Sequence, residues 1–232
     1  MAGDNKGFLY EEKINSLLKK NKLQSPSFTG AGSDPNAPDA EITIEGKDYK
    51  VEVKLDTKVD FGQGSLDYDL KKKKWILGGA KTGSAEQMRE FLTAIGVLKI
   101  VNKEWPKTPR KFTVSSKFYT PEDVKYDYAN FKDKFVNIPG NAVSNYYNSK
   151  KTYYIQIGQS GLYYMGSDPA KIGCPQFTLG LKLRIRLKRG GSMPIYNYRF
   201  TTAIQAVSGT LKQSKYDLED PELLKSLAGR KK

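Results

Sequence analysis

The carboxylates of Asp39 and Glu52 and the ammonium of Lys54 are the groups in this chain whose types and spacing could do chemistry. Glu52 and Lys54 are two residues apart, so in a β-strand they point to the same face. Glu41 adds a third carboxylate to the same predicted surface. Three carboxylates beside one ammonium repel one another unless a cation neutralises them. Mg²⁺ suits this role because it prefers oxygen ligands and, keeping several waters, needs only one or two carboxylates.

The elements that must position these groups are two short strands, for which the sequence predicts a β-hairpin. Apolar and polar residues alternate along Ala40–Glu45 and Tyr49–Leu55, on either side of the turn sequence Glu45-Gly46-Lys47-Asp48. The alternation gives an aliphatic face that consists of Ala40, Ile42, Ile44, Val51, Val53 and Leu55. A turn centred on Gly46-Lys47 predicts two pairs of charged residues opposite each other: Asp39 with Lys54, and Glu41 with Glu52.

The order of these residues resembles a nuclease signature. Asp39, preceded by Pro38 and followed by Glu52-Val53-Lys54, is similar to the motif of the PD-(D/E)xK nuclease superfamily. The resemblance implies that Asp39 and Glu52 hold Mg²⁺, for which Mn²⁺ can substitute, and that the Val53 carbonyl adds a ligand. It also implies that Lys54 orients or helps to deprotonate the attacking water and stabilises charge on the phosphate. Phosphodiester cleavage needs both a metal and fixed positive charge of this kind.

The same resemblance implies two supporting residues in the site. Glu11 ends the segment Gly7-Phe8-Leu9-Tyr10-Glu11, which looks like the opening of the first helix in resolvase-type members. Gln63 follows the lysine in a predicted loop, as a glutamine does in several branches of the superfamily. In the RecB-like branch a tyrosine comes four residues after this glutamine, whereas here Tyr68 comes five residues after it. A solvated helix carboxylate and a polar loop residue remain the alternative interpretations.

The chain contains no histidine, which excludes several classes of enzyme. Ser-His-Asp and Cys-His hydrolases, His-dependent metal nucleases and zinc sites that need imidazole are ruled out. The single cysteine, Cys174, excludes an internal disulfide and fits a reducing compartment. No apolar run approaches a membrane span, and MAGDNKGF lacks the features of a signal peptide. We therefore expect no membrane partner and a cytoplasmic or nucleoid-associated location.

The charge balance favours a polyanionic partner. The chain has 39 Lys and Arg residues against 25 Asp and Glu residues, a net charge of +14. Neutralising phosphates with such a surface releases counterions, although an anionic membrane or a ribosome would also attract it. The residues predicted to contact DNA are Lys71, Lys72, Lys73, Lys74, Lys182, Arg184, Arg186, Lys188, Tyr198 and Arg199. A solvated surface for the lysine run, and a charged edge strand for residues 182–188, are the alternatives.

Periodicity predicts the remaining elements. The predicted helices are Asn5–Asn21, one continuing past Ile95 to Leu98, and two that begin at Thr120-Pro121 and Asp220-Pro221. The predicted strands are Lys111–Tyr119, a hairpin of Thr152–Ile157 with Leu162–Met165, and the pair Phe177–Arg189 and Ile195–Val207.

The fold class expected from these features is mixed α/β. The prediction is a restriction-endonuclease-like core over residues 1–120, with a mixed sheet between helices. A β-rich extension over residues 121–232 would pack on this core and contact DNA. The expected function is Mg²⁺-dependent endonucleolytic cleavage of duplex DNA, with a homodimer as one possible state. The alternatives are a Holliday-junction resolvase or exonuclease of the same superfamily, and a basic nucleic-acid-binding protein without catalysis.

Overall fold

The structure is a computed structural model that describes residues 6–28, 38–80, 82–115, 118–189 and 197–230. It is mixed α/β, as predicted, and contains two separate sheets. Within the described residues, no helix is long and apolar enough to cross a membrane.

The chain divides into two compact units that do not coincide with the predicted boundary at residue 120. The first unit consists of Met1–Val59, Pro139–Gly180 and Ala206–Lys232, and the second consists of Asp60–Ile138 and Leu181–Gln205. The difference arises because strands far apart in the chain pair within each unit, so that neither unit is one continuous segment. No local sequence pattern indicates that two distant strands will pair in one sheet.

The first unit contains a four-stranded sheet of order β1-β2-β6-β7. Its strands are β1 (Ala40–Ile44), β2 (Lys47–Lys54), β6 (Thr152–Ile157) and β7 (Gly161–Tyr164), and its helices are α1 (Lys6–Lys20), α6 (Ala142–Ser149) and α7 (Pro221–Ala228). The predicted β6–β7 hairpin is confirmed. Asp220 caps α7 by accepting a hydrogen bond from the Glu222 N–H, as its position before Pro221 predicts.

The hairpin β1–β2 is confirmed, but its register differs from the prediction. Ala40 pairs with Val51, and Glu41 lies opposite Lys50 instead of Glu52. The turn is formed by Glu45 and Gly46, both with positive φ (51° and 73°), which is the requirement of a two-residue type I′ turn. The resulting shift of two residues in the pairing leaves every side chain on its predicted face.

Packing of α1 against this sheet forms the core of the first unit. Tyr10, Ile14 and Leu18, spaced four residues apart, are buried on one side of the helix, and Ile42 and Val53 are buried in the hairpin. The strand β2 pairs with β1 on one side and runs parallel to β6 on the other. It is therefore a central strand, and side chains at its end are held by a rigid support.

The second unit contains a five-stranded sheet of order β4-β3-β9-β8-β5. Its strands are β3 (Gly62–Asp69), β4 (Lys74–Leu77), β5 (Lys134–Asn137), β8 (Leu181–Arg189) and β9 (Tyr198–Ala206), and its helices are α2 (Gly83–Ala94), α3 (Val97–Glu104), α4 (Arg110–Thr113) and α5 (Pro121–Asn130). Its core is aromatic and centres on four rings in mutual contact: Trp75, Trp105, Phe131 and Phe200. Thr120 and Pro121 start α5 as predicted, with a reciprocal capping box to Asp123.

Three predicted elements of the second unit are wrong. The predicted loop around Gln63 is the strand β3, in which a Cβ at Gly64 would lie 2.6 Å from a Leu92 methyl group, so the glycine permits close packing of α2. The continuous helix to Leu98 is broken at Gly96, whose φ is 79°. The predicted strand Lys111–Tyr119 begins within the helix α4, because two backbone N–H groups at its start bind a distant carboxylate, that of Asp127.

Candidate active site at the end of β2

The structure brings Asp39, Glu52 and Lys54 together in the first unit. The ammonium of Lys54 makes an ion pair with Oε1 of Glu52 and lies 3.7 Å from Oδ2 of Asp39. All three side chains are mostly buried, with 18%, 21% and 13% of their surface exposed for Lys54, Asp39 and Glu52, respectively. Glu11, on α1, is close enough to raise the pKa of Asp39. We call these four residues the acidic cluster.

Asp39 is held by its backbone as well as by its side chain. It immediately precedes β1, and its Oδ2 accepts a hydrogen bond of 2.9 Å from the backbone N–H of Val53. Asn15 on α1 donates a hydrogen bond of 2.8 Å to the backbone carbonyl of Asp39. The same amide donates to the Glu11 carbonyl, at 3.0 Å. Asn15 thus fastens the helix that carries Glu11 to the residue that begins the hairpin.

Asn15 was not among the predicted site residues, although a signal for it exists. It lies one helical turn after Glu11, and residues four apart share a helix face. A polar residue at this spacing on a helix predicted to contribute to a site is a candidate for positioning it.

Tyr147 on α6 is a second residue that the sequence did not indicate. Its hydroxyl donates a hydrogen bond of 2.9 Å to Oε1 of Glu52. Both donors to Glu52, Tyr147 and Lys54, therefore converge on one carboxylate oxygen, and Oε2 accepts no hydrogen bond from the described part of the chain. Tyr147 follows Glu52 by 95 residues, so only the folded chain could reveal the contact.

The end of β2 depends on a close approach by Gly158. The N–H of Gly158 donates a hydrogen bond of 2.9 Å to the carbonyl of Lys54. A Cβ at Gly158 would lie 2.1 Å from the Leu55 carbonyl oxygen, closer than any side chain can come. Glycine is therefore required here, and it fixes the backbone from which the Lys54 side chain projects.

The charged groups of the acidic cluster shift one another's pKa values. Burial, and after it the Glu52 carboxylate, raise the pKa of Asp39 to about 7 against the lowering effect of Lys54. Burial on its own lowers the pKa of Lys54, but Glu52 and Asp39 reverse this and leave it above its ordinary value. Burial also raises the pKa of Glu11, with Lys54 acting in the opposite direction. One ammonium is thus shared among three carboxylates, which leaves the cluster short of positive charge.

The donor set is compatible with Mg²⁺, although it offers few side-chain ligands. Within the described residues, no three His, Cys, Asp or Glu side chains form a group that could hold a metal ion. Asp39 and Glu52 supply two hard oxygen donors, and Mg²⁺ needs no more because it keeps several waters. The N–H and C=O groups of one strand residue point to the same neighbouring strand, so the carbonyl of Val53 is directed to the side of Asp39, to which its N–H donates.

Several of the predicted site residues lie in the second unit. Gln63 is exposed on β3 of the second unit, and its assignment to the site stays a prediction. Lys71, Lys72 and Lys73 are exposed in the turn that leads to Lys74, at the start of β4. Their contact with DNA also stays a prediction.

Tyr198 does not fit its predicted role. The sequence predicts contact with DNA, but the side chain is fully buried and its hydroxyl donates a hydrogen bond of 2.6 Å to Asp127. The reason is the strand alternation, which turns Tyr198 and Phe200 into the aromatic core and leaves Arg199 exposed. Arg199 therefore remains a candidate for nucleic-acid contact, while Tyr198 is a core residue.

Comparisons with models of known protein families, with curated proteins and with solved structures find no match to this chain. The function proposed below therefore rests on the geometry and charge of the site and on the resemblance of its motif.

Proposed function

We propose that this protein is a metal-dependent deoxyribonuclease that hydrolyses phosphodiester bonds of duplex DNA. The observation that carries the proposal is the joint position of Asp39, Glu52 and Lys54 at the end of β2, with two carboxylates and one ammonium in contact. The order and spacing of these residues match those of the PD-(D/E)xK motif, and a net charge of +14 suits a phosphate polymer as substrate.

In this proposal each residue has one task. Asp39 and Glu52 would hold Mg²⁺, which when bound polarises a phosphoryl oxygen and lowers the pKa of a water. Lys54 supplies fixed positive charge where negative charge develops on the phosphate. Tyr147 and Lys54 hold Oε1 of Glu52, which leaves Oε2 available to a cation. Asn15 fixes the backbone of Asp39 and so the distance between the two carboxylates.

A non-catalytic nucleic-acid-binding protein is the second candidate, and one observation favours it. The ion pair between Lys54 and Glu52 is direct, so it neutralises the carboxylate without a metal. In that case the acidic cluster only stabilises the first unit, and the basic residues bind DNA equally well in Mg²⁺ or in EDTA.

Cleavage assays distinguish the two candidates. Supercoiled plasmid, linear duplex and a four-way junction are incubated with the protein in Mg²⁺, Ca²⁺ or EDTA, beside Lys54→Ala. Lys50→Ala is the matched control, because Lys50 lies on the same strand face but pairs opposite Glu41, outside the acidic cluster. We expect cutting that requires Mg²⁺ and Lys54 and survives the control substitution. Cleavage that persists in Lys54→Ala would contradict the site, and a preference for the junction or for free ends would favour a resolvase or an exonuclease.

A further inference from the structure

An exposed aromatic ring lies on an edge strand of the second unit. Phe135 is on β5, the last strand of its sheet, and 53% of its surface is exposed. It pairs across the sheet with Arg184 of β8. An exposed phenylalanine alone is common on protein surfaces. The residues that surround this one suggest a specific ligand.

Two cations lie over the ring of Phe135. The ammonium of Lys182 lies 4.8 Å from the ring centroid, and the guanidinium carbon of Arg184 lies 5.3 Å from it. Asp133 binds the guanidinium of Arg184 through both carboxylate oxygens, which holds the cation in place over the ring. The aromatic surface and the positive charge are therefore combined in one preformed patch.

The row of cations continues along β8 to Arg186. The Nε atom of Arg186 is buried and has no hydrogen-bond partner among the residues that the structure describes. A buried donor without an acceptor is costly, and a phosphate oxygen removes that cost when the Arg186 side chain turns outward to meet it. Alternate residues of a strand are about 6.6 Å apart, so the cations at 182, 184 and 186 form a regular row on one side of β8. We call Phe135 with Lys182, Arg184 and Arg186 the β5–β8 patch.

We propose that the β5–β8 patch binds an unpaired strand of nucleic acid, with a base stacked on Phe135 and phosphates along the cations. In an intact duplex each base is covered by its neighbours, so a flat aromatic side chain gains little from it. In a single strand every base has a free face, and aromatic rings beside basic residues are the usual means of binding it. The inference rests on the proposed nuclease function in one respect: together they specify a DNA substrate that contains an unpaired segment.

Binding measured in EDTA tests the patch without any cleavage. Fluorescence anisotropy of a labelled single-stranded DNA oligonucleotide, and of the same strand in a duplex, is compared for the wild type, Phe135→Ala and Phe135→Trp. We expect Phe135→Ala to weaken single-strand binding about five- to hundredfold, the scale of losing one stacked base. Duplex binding should change less than twofold, and Phe135→Trp should bind the single strand like the wild type.

Two further variants separate stacking from charge and from surface hydrophobicity. Ile76→Ala is the matched control, because Ile76 is a 39% exposed apolar residue on β4, the opposite edge strand of the same sheet. It should leave binding unchanged. Arg186→Gln should lower the slope of log affinity against log salt by about one, whereas Phe135→Ala should leave the slope as it is.

Three results would overturn the inference. One is equal single-strand affinity for Phe135→Ala and the wild type, and another is an equal loss on single strand and duplex. The third is a change of molar mass in Phe135→Ala, which would identify the strand edge as a contact between copies of the chain. Because no metal is present, loss of single-strand binding in Phe135→Ala supports the patch even when the wild type cuts nothing. Conversely, Mg²⁺-dependent cutting with unaltered binding by Phe135→Ala retains the nuclease and removes the patch.

Discussion

The two units each bury a carboxylate, and the surroundings of Asp127 and Asp39 differ in kind. Asp127 accepts hydrogen bonds from the backbone N–H groups of Arg110 and Lys111, at 2.7 and 2.9 Å, and from the Tyr198 hydroxyl at 2.6 Å. Asp39 accepts one backbone hydrogen bond, from Val53, and is otherwise close to charged groups. The hydrogen bonds to Asp127 come from neutral donors, whereas Asp39 shares one ammonium with other carboxylates.

The comparison shows that a raised carboxyl pKa does not by itself mark a functional site. Burial raises the pKa of both Asp127 and Asp39. At Asp127 backbone hydrogen bonds oppose the shift, while at Asp39 the second largest cause is the repulsion of Glu52. A carboxylate saturated with donors ties segments of a fold together, and one crowded by like charge favours a cation. We therefore propose a structural role for Asp127 and a chemical role for Asp39.

The largest expected effect is a loss of DNA cleavage on substitution of Asp39 that does not occur on substitution of Asp127. Asp39→Asn should lower the rate of DNA cleavage at least about hundredfold, the scale of losing one positioned electrostatic or acid–base group, while the protein stays folded. Plasmid cleavage in Mg²⁺ per mole of folded protein measures this. Asp127→Asn should retain the wild-type rate once corrected for its folded fraction, and a similar loss in both variants would contradict the comparison.

The second largest effect is on stability, and here we expect the Asp127 variant to lose more than the Asp39 variant. Asp127→Ala leaves two backbone N–H groups and a buried hydroxyl without their acceptor, so we expect a loss of about 3–5 kcal/mol in the free energy of unfolding. At pH 7, Asp39→Ala removes one hydrogen bond but also the repulsion with Glu52, so its change should stay within about 1 kcal/mol. Urea unfolding in EDTA measures both. A larger loss for Asp39→Ala would give the acidic cluster a structural role.

The pH dependence of stability tests whether the pKa of Asp39 is raised in the folded protein. With its folded pKa at about 7 and an unfolded value of about 3.9, Asp39 keeps its proton in the folded state where the unfolded chain has released it. Its contribution to stability is therefore present at low pH and is lost as pH rises from about 4 to 7, by at most about 4 kcal/mol. Urea midpoints between these pH values, in EDTA, should fall less steeply for Asp39→Asn. Equal slopes would mean that Asp39 is ionised throughout.

The smallest effect concerns Tyr147 as a positioning residue of Glu52. Tyr147→Phe removes the hydroxyl that binds Oε1 and should lower cleavage about tenfold, within the range found for residues that orient a metal ligand. The Mg²⁺ concentration needed for half-maximal protection against thermal unfolding should rise with it, which a purely structural role would not cause. Tyr146→Phe, the adjacent position on α6, is the control. Equal Mg²⁺ dependence in both variants would remove Tyr147 from the site.

Local patterns were sufficient to predict the parts of the site that lie close together in the chain. Alternation placed Glu52 and Lys54 on one face of β2 and predicted the hairpin with Asp39 at its start. The register was missed because it depends on positive φ values at Glu45 and Gly46, and few sequences place a glutamate in that conformation. The restriction-endonuclease-like identity of the core stays a prediction, since no known structure matches the chain.

Contacts between distant segments explain why α4 and the contact of Tyr147 with Glu52 could not be predicted from the sequence. Asp127 caps the start of α4 from 17 residues away, which changes a segment with strand-like composition into a helix. Tyr147 reaches Glu52 from a helix of another segment. Propensity acts within a few residues, while these contacts depend on how the chain returns.

Segments of the two units alternate along the chain, and this order determines when each sheet can form during synthesis. Strand β2 has to wait for β6, in which Thr152 pairs with Lys50, and β3 has to wait for β9, in which Ala203 pairs with Gln63. A nascent chain that ends before residue 198 has only the two-stranded β3–β4 ribbon on that side of the second sheet, and such ribbons are marginally stable in water. Closing these long loops is slow, so β2 pairs with β6 only after residue 157 has been made, and β3 pairs with β9 only after residue 206. A ribosome-bound chain arrested before residue 198 should stay sensitive to protease in the second unit, even though β3, β4, β5 and β8 have already been made.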